Sequence, residues 1–238
     1  MAVHVEASRR FAGIRTWHRG SRVVSTPDWH SLVDVRMLDS CRSALQRLGG
    51  DAVTSIGVTS TVRGEGRSSI ALAFAALGQI DRGRSSVVVD MDLQAASLAR
   101  MLGVADAPGV ADIAQGEGTT LDDALQRIDD RIWLLPAGRV AGISARVMNR
   151  VVEGHLISSL TERFDLVVAD MPPLLEDGLG ITASRLIDTI VLVARAGKTP
   201  IPAIAHASEL LATPPAVILN AVSTKLPRFA RRLAGDPA

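Results

Sequence analysis

The chain has 238 residues, 47% of them hydrophobic, and a formal net charge of +1. That is enough apolar material for one α/β domain with a substantial core, and too much for a chain disordered throughout. The near-neutral balance argues against nucleic acid as a partner, and no apolar run approaches the ~20 residues that span a bilayer.

No secretory leader is legible. Cys41 is the single cysteine, so an intrachain disulfide is impossible and a reducing cytoplasm fits. Tyrosine is absent altogether, and among the 26 basic residues only Lys198 and Lys225 are lysines. Such a bias points to a GC-rich genome in which lysine gives way to arginine wherever it is dispensable.

Residues 1–30 lack sustained periodicity and carry Arg9, Arg10, Arg15, Arg19 and Arg22. They read as a flexible basic arm, with contact to an anionic surface or a partner as the functional alternative. Ser31 is placed to cap a helix running to about Leu48, with Leu38, Cys41, Leu45 and Leu48 on one face and Gly49-Gly50 as its stop. Strands and helices then alternate. Strands are expected at Val53–Thr59, Val87–Val89, Ile132–Leu135, Leu166–Ala169, Thr189–Ala194 and Val217–Leu219. Helices are expected at Ser68–Ile80, Ala95–Leu102, Ser144 to about Arg163, Asp177–Leu186 and Ile201–Leu211. The strands are short and apolar throughout, as when helices cover both faces of a parallel sheet. The domain organisation is thus an arm over 1–30, one doubly wound, mainly parallel α/β domain over 31–222, and a basic tail over 223–238 with Lys225, Arg228, Arg231 and Arg232.

Ligands on such sheets bind at the carboxyl ends of strands. Three features sit there. The first is Thr59-Ser60-Thr61-Val62-Arg63-Gly64-Glu65-Gly66-Arg67-Ser68-Ser69, a glycine loop between a strand and a helix. Gly64 and Gly66 permit a tight turn whose N–H groups point inward, and the helix start adds its free N–H groups and positive dipole end. Ser68 stands where a hydroxyl would ligate Mg²⁺. The lysine of a phosphate-binding loop is replaced by Arg67, which keeps the charge on a larger, planar fork. The second feature is Val-Val-Val-Asp-Met-Asp, whose Asp90 and Asp92 can hold or orient a hydrated Mg²⁺. The third is Asp170 in Leu-Val-Val-Ala-Asp-Met-Pro-Pro. Each acid taken singly is a helix cap or a solvated strand end; the ordered set of three points to a nucleotide site. The five histidines lack metal-ligand spacing, and no catalytic triad is legible.

In this combination the chain resembles the MinD/ParA-type P-loop proteins. It most resembles the cytoplasmic domain of the bacterial tyrosine kinases (BY-kinases) of capsule and exopolysaccharide systems, over roughly residues 31–220. Matching positions are the loop from Thr59 to Ser68, Asp90 and Asp92, Asp170 with Pro172 and Pro173, the Leu135-Pro136-Ala137-Gly138 loop, and Asn220 at the end of the last strand. The departures are Arg63 for a proline, Arg67 for the phosphate lysine, and Gln94 for an arginine. The self-association motif Glu-x-x-Arg-x-x-Arg is half kept, with Asp39 and Arg42 in place and Leu45 in the last position. The family's tyrosine tail has no counterpart.

The resemblance implies ATP or ADP with Mg²⁺. Gly64, Glu65, Gly66, Arg67, Ser68, Ser69 and Asn220 would hold the nucleotide, and Ser68 and Asp92 the metal. Asp90, Asp92 and Asp170 would serve the chemistry, with Asp90 activating an acceptor or water. It also implies a Wzz-like membrane polysaccharide co-polymerase as partner, self-association through the 31–48 helix, and a cytoplasmic protein recruited to the inner face of the membrane. The preferred reading is a regulator of exopolysaccharide synthesis or export with weak or absent kinase activity. An active ATPase or a kinase acting in trans, a ParA/MinD-like positioning ATPase, and a nucleotide-free structural pseudo-enzyme remain open.

Overall fold

The structure, a computed structural model, describes residues 29–116, 118–187 and 189–221. The tail from 223 to 238 lies outside these residues, as does the N-terminal arm except for Trp29 and His30. Trp29 is buried in the core, with the His30 ring stacked on it.

Seven strands form one sheet: β1 Ser55–Ser60, β2 Ser86–Asp90, β3 Gln126–Asp129, β4 Ile132–Leu135, β5 Leu166–Asp170, β6 Ile190–Arg195 and β7 Ala216–Asn220. Their order is β3-β4-β2-β5-β1-β6-β7. Every pairing is parallel except β3 with β4, so the doubly wound, mainly parallel sheet expected from the alternation is the observed one. The helices are α1 Val35–Arg47, α2 Arg67–Arg82, α3 Ser97–Met101, α4 Val110–Gln115, α5 Leu121–Ala124, α6 Ser144–Glu153, α7 Leu156–Thr161, α8 Leu179–Ser184 and α9 Ile201–Glu209. No helix among the described residues is long and apolar enough to cross a membrane.

Alternate strand residues feed two cores. On β2, Val88 packs with Ile56, Val58, Val168, Val191 and the buried face of α2, while Val87 and Val89 pack on the other side with Trp133, Leu135, Val167, Met148 and Leu160. This two-sided burial is why the strands read as continuous apolar runs.

Several boundaries differ from expectation. The cap of α1 is Asp34, not Ser31: its carboxylate accepts from Met37 N at 2.8 Å. The expected helix from Ser144 to Arg163 is two helices, broken where Gly154 ends α6 and His155 takes φ 55°. The stretch between Leu102 and Ile132, for which periodicity gives no assignment, holds α4, α5 and β3. Each has six residues or fewer and depends on local caps or on the neighbouring β4. The Leu135–Gly138 loop does part of that work: Pro136 O accepts from Val110 N at 2.8 Å and Ala137 O from Ala111 N at 2.9 Å.

The sheet order positions the site. β5 lies between β1 and β2, in register Val58↔Asp170 and Asp90↔Asp170. The loop after β1, the acid ending β2 and the acid ending β5 therefore meet at one edge.

Candidate nucleotide site

The glycine loop turns on Gly64 (φ 81°) and Gly66 (φ 95°), both in the left-handed region that glycine tolerates. Gly66 is also required sterically, because a Cβ there would lie 2.0 Å from Asn220 Nδ2. The loop is braced from inside by the buried Glu65 carboxylate. Its Oε2 accepts from Thr61 N and Thr61 Oγ1, both at 2.8 Å, and from Val62 N at 3.2 Å; its Oε1 accepts from Thr199 Oγ1. Asn220 Nδ2 donates to Glu65 O at 2.9 Å, and Asn220 Oδ1 accepts from Ala221 N at 2.8 Å. Both ends of that amide, expected to meet adenine, are thus engaged, Nδ2 in holding the loop and Oδ1 with the backbone of its own neighbour.

Arg67 opens α2, so the N–H groups of Arg67, Ser68 and Ser69 have no acceptor within the helix. The first to donate back is Ile70, to Gly66 O at 3.1 Å. Free N–H groups at a helix start are the kind of donor that phosphate oxygens take. Beside Gly64, Glu65 and Gly66 lies a cleft of about 580 Å³, lined further by Met37, Ile218, Asn220 and Arg195. That volume is of the size that takes a small cofactor. The loop and cleft fit a nucleoside phosphate.

The Arg67 side chain does not point into this cleft. It is 7% exposed, donating from Nη1 to Met171 O at 2.7 Å and from Nη2 to Asp92 Oδ2 at 2.8 Å. Its Nε lies 3.9 Å from Asp170 Oδ1. Arg63 converges on the same acid, with Nη1 2.7 Å from Asp92 Oδ2 and Nε 2.7 Å from Glu176 Oε2. Sequence reasoning noted both arginines as departures but missed their shared target; the paired substitution within one loop was the available signal. It also missed Thr199, Glu176 and Arg195, which reach the loop from distant parts of the chain and leave no local pattern.

The three acids do meet. Asp90 is fully buried, and its Oδ2 accepts from Leu98 N at 3.1 Å and Ala99 N at 3.4 Å, so it also caps α3. Asp170 Oδ2 accepts from Ser68 Oγ at 2.6 Å. Asp90 Oδ1 and Asp170 Oδ1 are buried without a hydrogen-bond partner. Burial pushes the Asp90 carboxyl well above the usual carboxylate range, and the neighbouring Asp170 charge acts in the same direction. Burial likewise raises Asp170 to about 6, against the opposing pull of Arg67 and Ser68. Burial would also raise Asp92, but the hydrogen bond and charge of Arg67, the Ala95 N–H and Arg63 together hold it below its ordinary value. Burial thus raises Asp90 and Asp170, while the guanidiniums of Arg67 and Arg63 favour the charged form of Asp92.

Of the oxygens expected to ligate Mg²⁺, Asp92 Oδ2 is already engaged with two arginines, whereas Ser68 Oγ donates to Asp170 and keeps its lone pairs. Among the described residues, no group of three or more His, Cys, Asp or Glu side chains is arranged to hold a metal ion. As arranged, Asp92 does not fit a divalent cation.

No family model matches the chain. It is 23% identical to the tyrosine-protein kinase Wzc of Salmonella typhi over 192 residues, covering 80% of this chain and 26% of that protein. It is 29% identical to the succinoglycan biosynthesis transport protein ExoP of Rhizobium meliloti over 160 residues, covering 65% of this chain and 20% of that one. The chain thus spans about a quarter or less of the length of these relatives. Among solved structures, the kinase domain of Escherichia coli tyrosine kinase ETK superposes with a TM-score of 0.71 at 18% identity, covering 80% of this chain and 77% of that one. The cell-division ATPase MinD of Pyrococcus furiosus superposes at 0.56 and 23% identity, covering 76% and 78%. The chain therefore has the MinD/ParA-type P-loop fold, and in sequence it is a relative of the bacterial tyrosine kinases.

Proposed function

We propose that this chain is a BY-kinase-like regulator of bacterial exopolysaccharide or capsule synthesis or export. It binds a nucleoside phosphate in the glycine loop and transfers phosphoryl groups weakly or not at all. The single observation that carries this reading is the direction of Arg67. Its charge goes to Asp92 and Met171 O rather than to the loop mouth, where a terminal phosphate would meet it.

Phosphoryl transfer rests on positioning and on positive charge aimed at the moving group. The loop N–H groups and the start of α2 can bind phosphate oxygens without that charge. Binding is thereby separated from chemistry. The absence of tyrosine rules out tyrosine self-phosphorylation. The kinship with Wzc and ExoP supports a polysaccharide co-polymerase as the docking partner and the cytoplasmic face of the membrane as the place of work.

The test is calorimetric titration of the pure chain with ADP and ATP, beside incubation with γ-labelled ATP. Nucleotide heat with no stoichiometric label on Ser or Thr is the expected result. Stoichiometric label would establish an active kinase, and no nucleotide heat would establish a structural scaffold.

A further inference from the structure

The two arginines of the loop stand where a metal would be needed. Asp92 Oδ2 receives Nη1 of Arg63 at 2.7 Å and Nη2 of Arg67 at 2.8 Å, and the Asp92 side chain is 1% exposed. Arg67 is fixed a second time through Met171 O, and Arg63 through Glu176, which accepts from Arg63 N at 2.7 Å and pairs with its Nε. Neither guanidinium can lose its proton at any working pH, so the charge at this point cannot be switched off. Mg²⁺ asks for near-octahedral oxygen ligands and gives up its water reluctantly. A dication at Asp92 Oδ2 would share that oxygen with two permanent cations, and Asp92 Oδ1 already accepts from Ala95 N at 3.1 Å. Breaking a buried ion pair on one side leaves a buried charge uncompensated, which is strongly unfavourable.

We infer that the guanidiniums of Arg63 and Arg67 take the place on Asp92 that a divalent metal would need, so that the chain binds a nucleoside diphosphate free of metal. This rests on the nucleotide-binding reading above and deepens it. The phosphates take their hydrogen bonds from the loop and the N–H groups of Arg67, Ser68 and Ser69.

Two measurements on the full chain test this. In the first, Mn²⁺ alone is titrated into nucleotide-free protein and free Mn²⁺ is read by electron paramagnetic resonance. No stoichiometric uptake is expected in the wild type. Uptake of one Mn²⁺ per chain that Asp92→Asn abolishes would overturn the inference. In the second, ADP is titrated by calorimetry in EDTA and in excess Mg²⁺. The two Kd values are expected to agree within about threefold, which is under 1 kcal/mol. Affinity at least about tenfold tighter in Mg²⁺ would overturn the inference and leave the functional reading standing. No ADP heat in either buffer would overturn both. The double variant Arg63→Ala/Arg67→Lys is expected to gain Mn²⁺ uptake and Mg²⁺-dependent ADP affinity. The wild-type arms decide the matter whether or not that variant folds.

Discussion

Arg67 Nη2 lies 2.8 Å from Asp92 Oδ2, across 25 residues of sequence. The loop is thus tied to the end of β2 by its own side chain. A lysine here would present one compact, mobile charge. The arginine fork instead spans two acceptors, Asp92 and Met171 O.

Arg67→Lys frees Asp92 from one of its two guanidiniums and returns a flexible charge to the loop. ATP affinity should rise by about tenfold or less, roughly 1.4 kcal/mol. Hydrolysis should rise by a larger factor, because transfer depends on charge placed at the moving phosphoryl group. Asp90→Ala in that background should abolish the gain. Calorimetry and phosphate release measure the two effects; an unchanged Kd and an unchanged rate would show that the direction of this charge limits neither binding nor transfer.

The buried acid pair gives stability a pH slope. Asp170 sits at about 6 in the folded protein against an ordinary 3.8, and Asp90 is raised as well. Between those values the folded state binds more protons than the unfolded chain. The contribution is complete below the ordinary carboxylate value and is lost as pH rises through about 6. Asp92 is shifted the other way, so its contribution is lost only as pH falls below the ordinary range. Urea unfolding at pH 5 and pH 7 should therefore show a loss on the order of 1–3 kcal/mol from the pair, and Asp170→Asn should flatten that slope.

Gly66→Ala meets two obstacles at once. Its φ of 95° strains any side chain, and the new Cβ would strike Asn220 Nδ2. A destabilisation of about 2–3 kcal/mol is expected, with loss of ADP binding. Adding Asn220→Ala should recover the steric part alone. Thermal melts of the two single variants and the double variant separate the terms. Full additivity would show that Asn220 does not press on the loop.

Arg42 belongs to the half-kept self-association motif, yet it is occupied within its own chain. It pairs with Asp81 through Nε at 2.7 Å and Nη2 at 3.0 Å, and with Asp39 through Nη1 at 2.6 Å, clamping α1 to α2. Arg42→Ala should lower the melting temperature slightly, less so in high salt, and leave the mass in light scattering unchanged. A fall in oligomeric mass would assign Arg42 to an interface between copies.

Sequence alone determined what depends on local repetition and local chemistry. Apolar runs such as Val87–Val89 and Leu166–Ala169 marked strands buried on both faces, and the spacing of Gly64, Gly66 and Ser68 marked a phosphate loop opening a helix. Short elements held by distant partners were not legible. β3 exists because β4 pairs with it antiparallel, and the break at Gly154-His155 is a backbone choice that periodicity does not register.

That Asp90, Asp92 and Asp170 lie at the carboxyl edge of the sheet was likewise legible, since each ends or follows a buried strand. What only the tertiary structure decided is where the charges point. Threading β5 between β1 and β2 sets Asp170 in register with Asp90 and brings Met171 O and Asp92 within reach of one arginine. A side chain's direction follows from the acceptors around it, and for Arg67 those acceptors lie 25 and 104 residues away. No periodicity or spacing encodes such a contact, so a loop that reads as a phosphate clasp folds as one whose cation is turned inward.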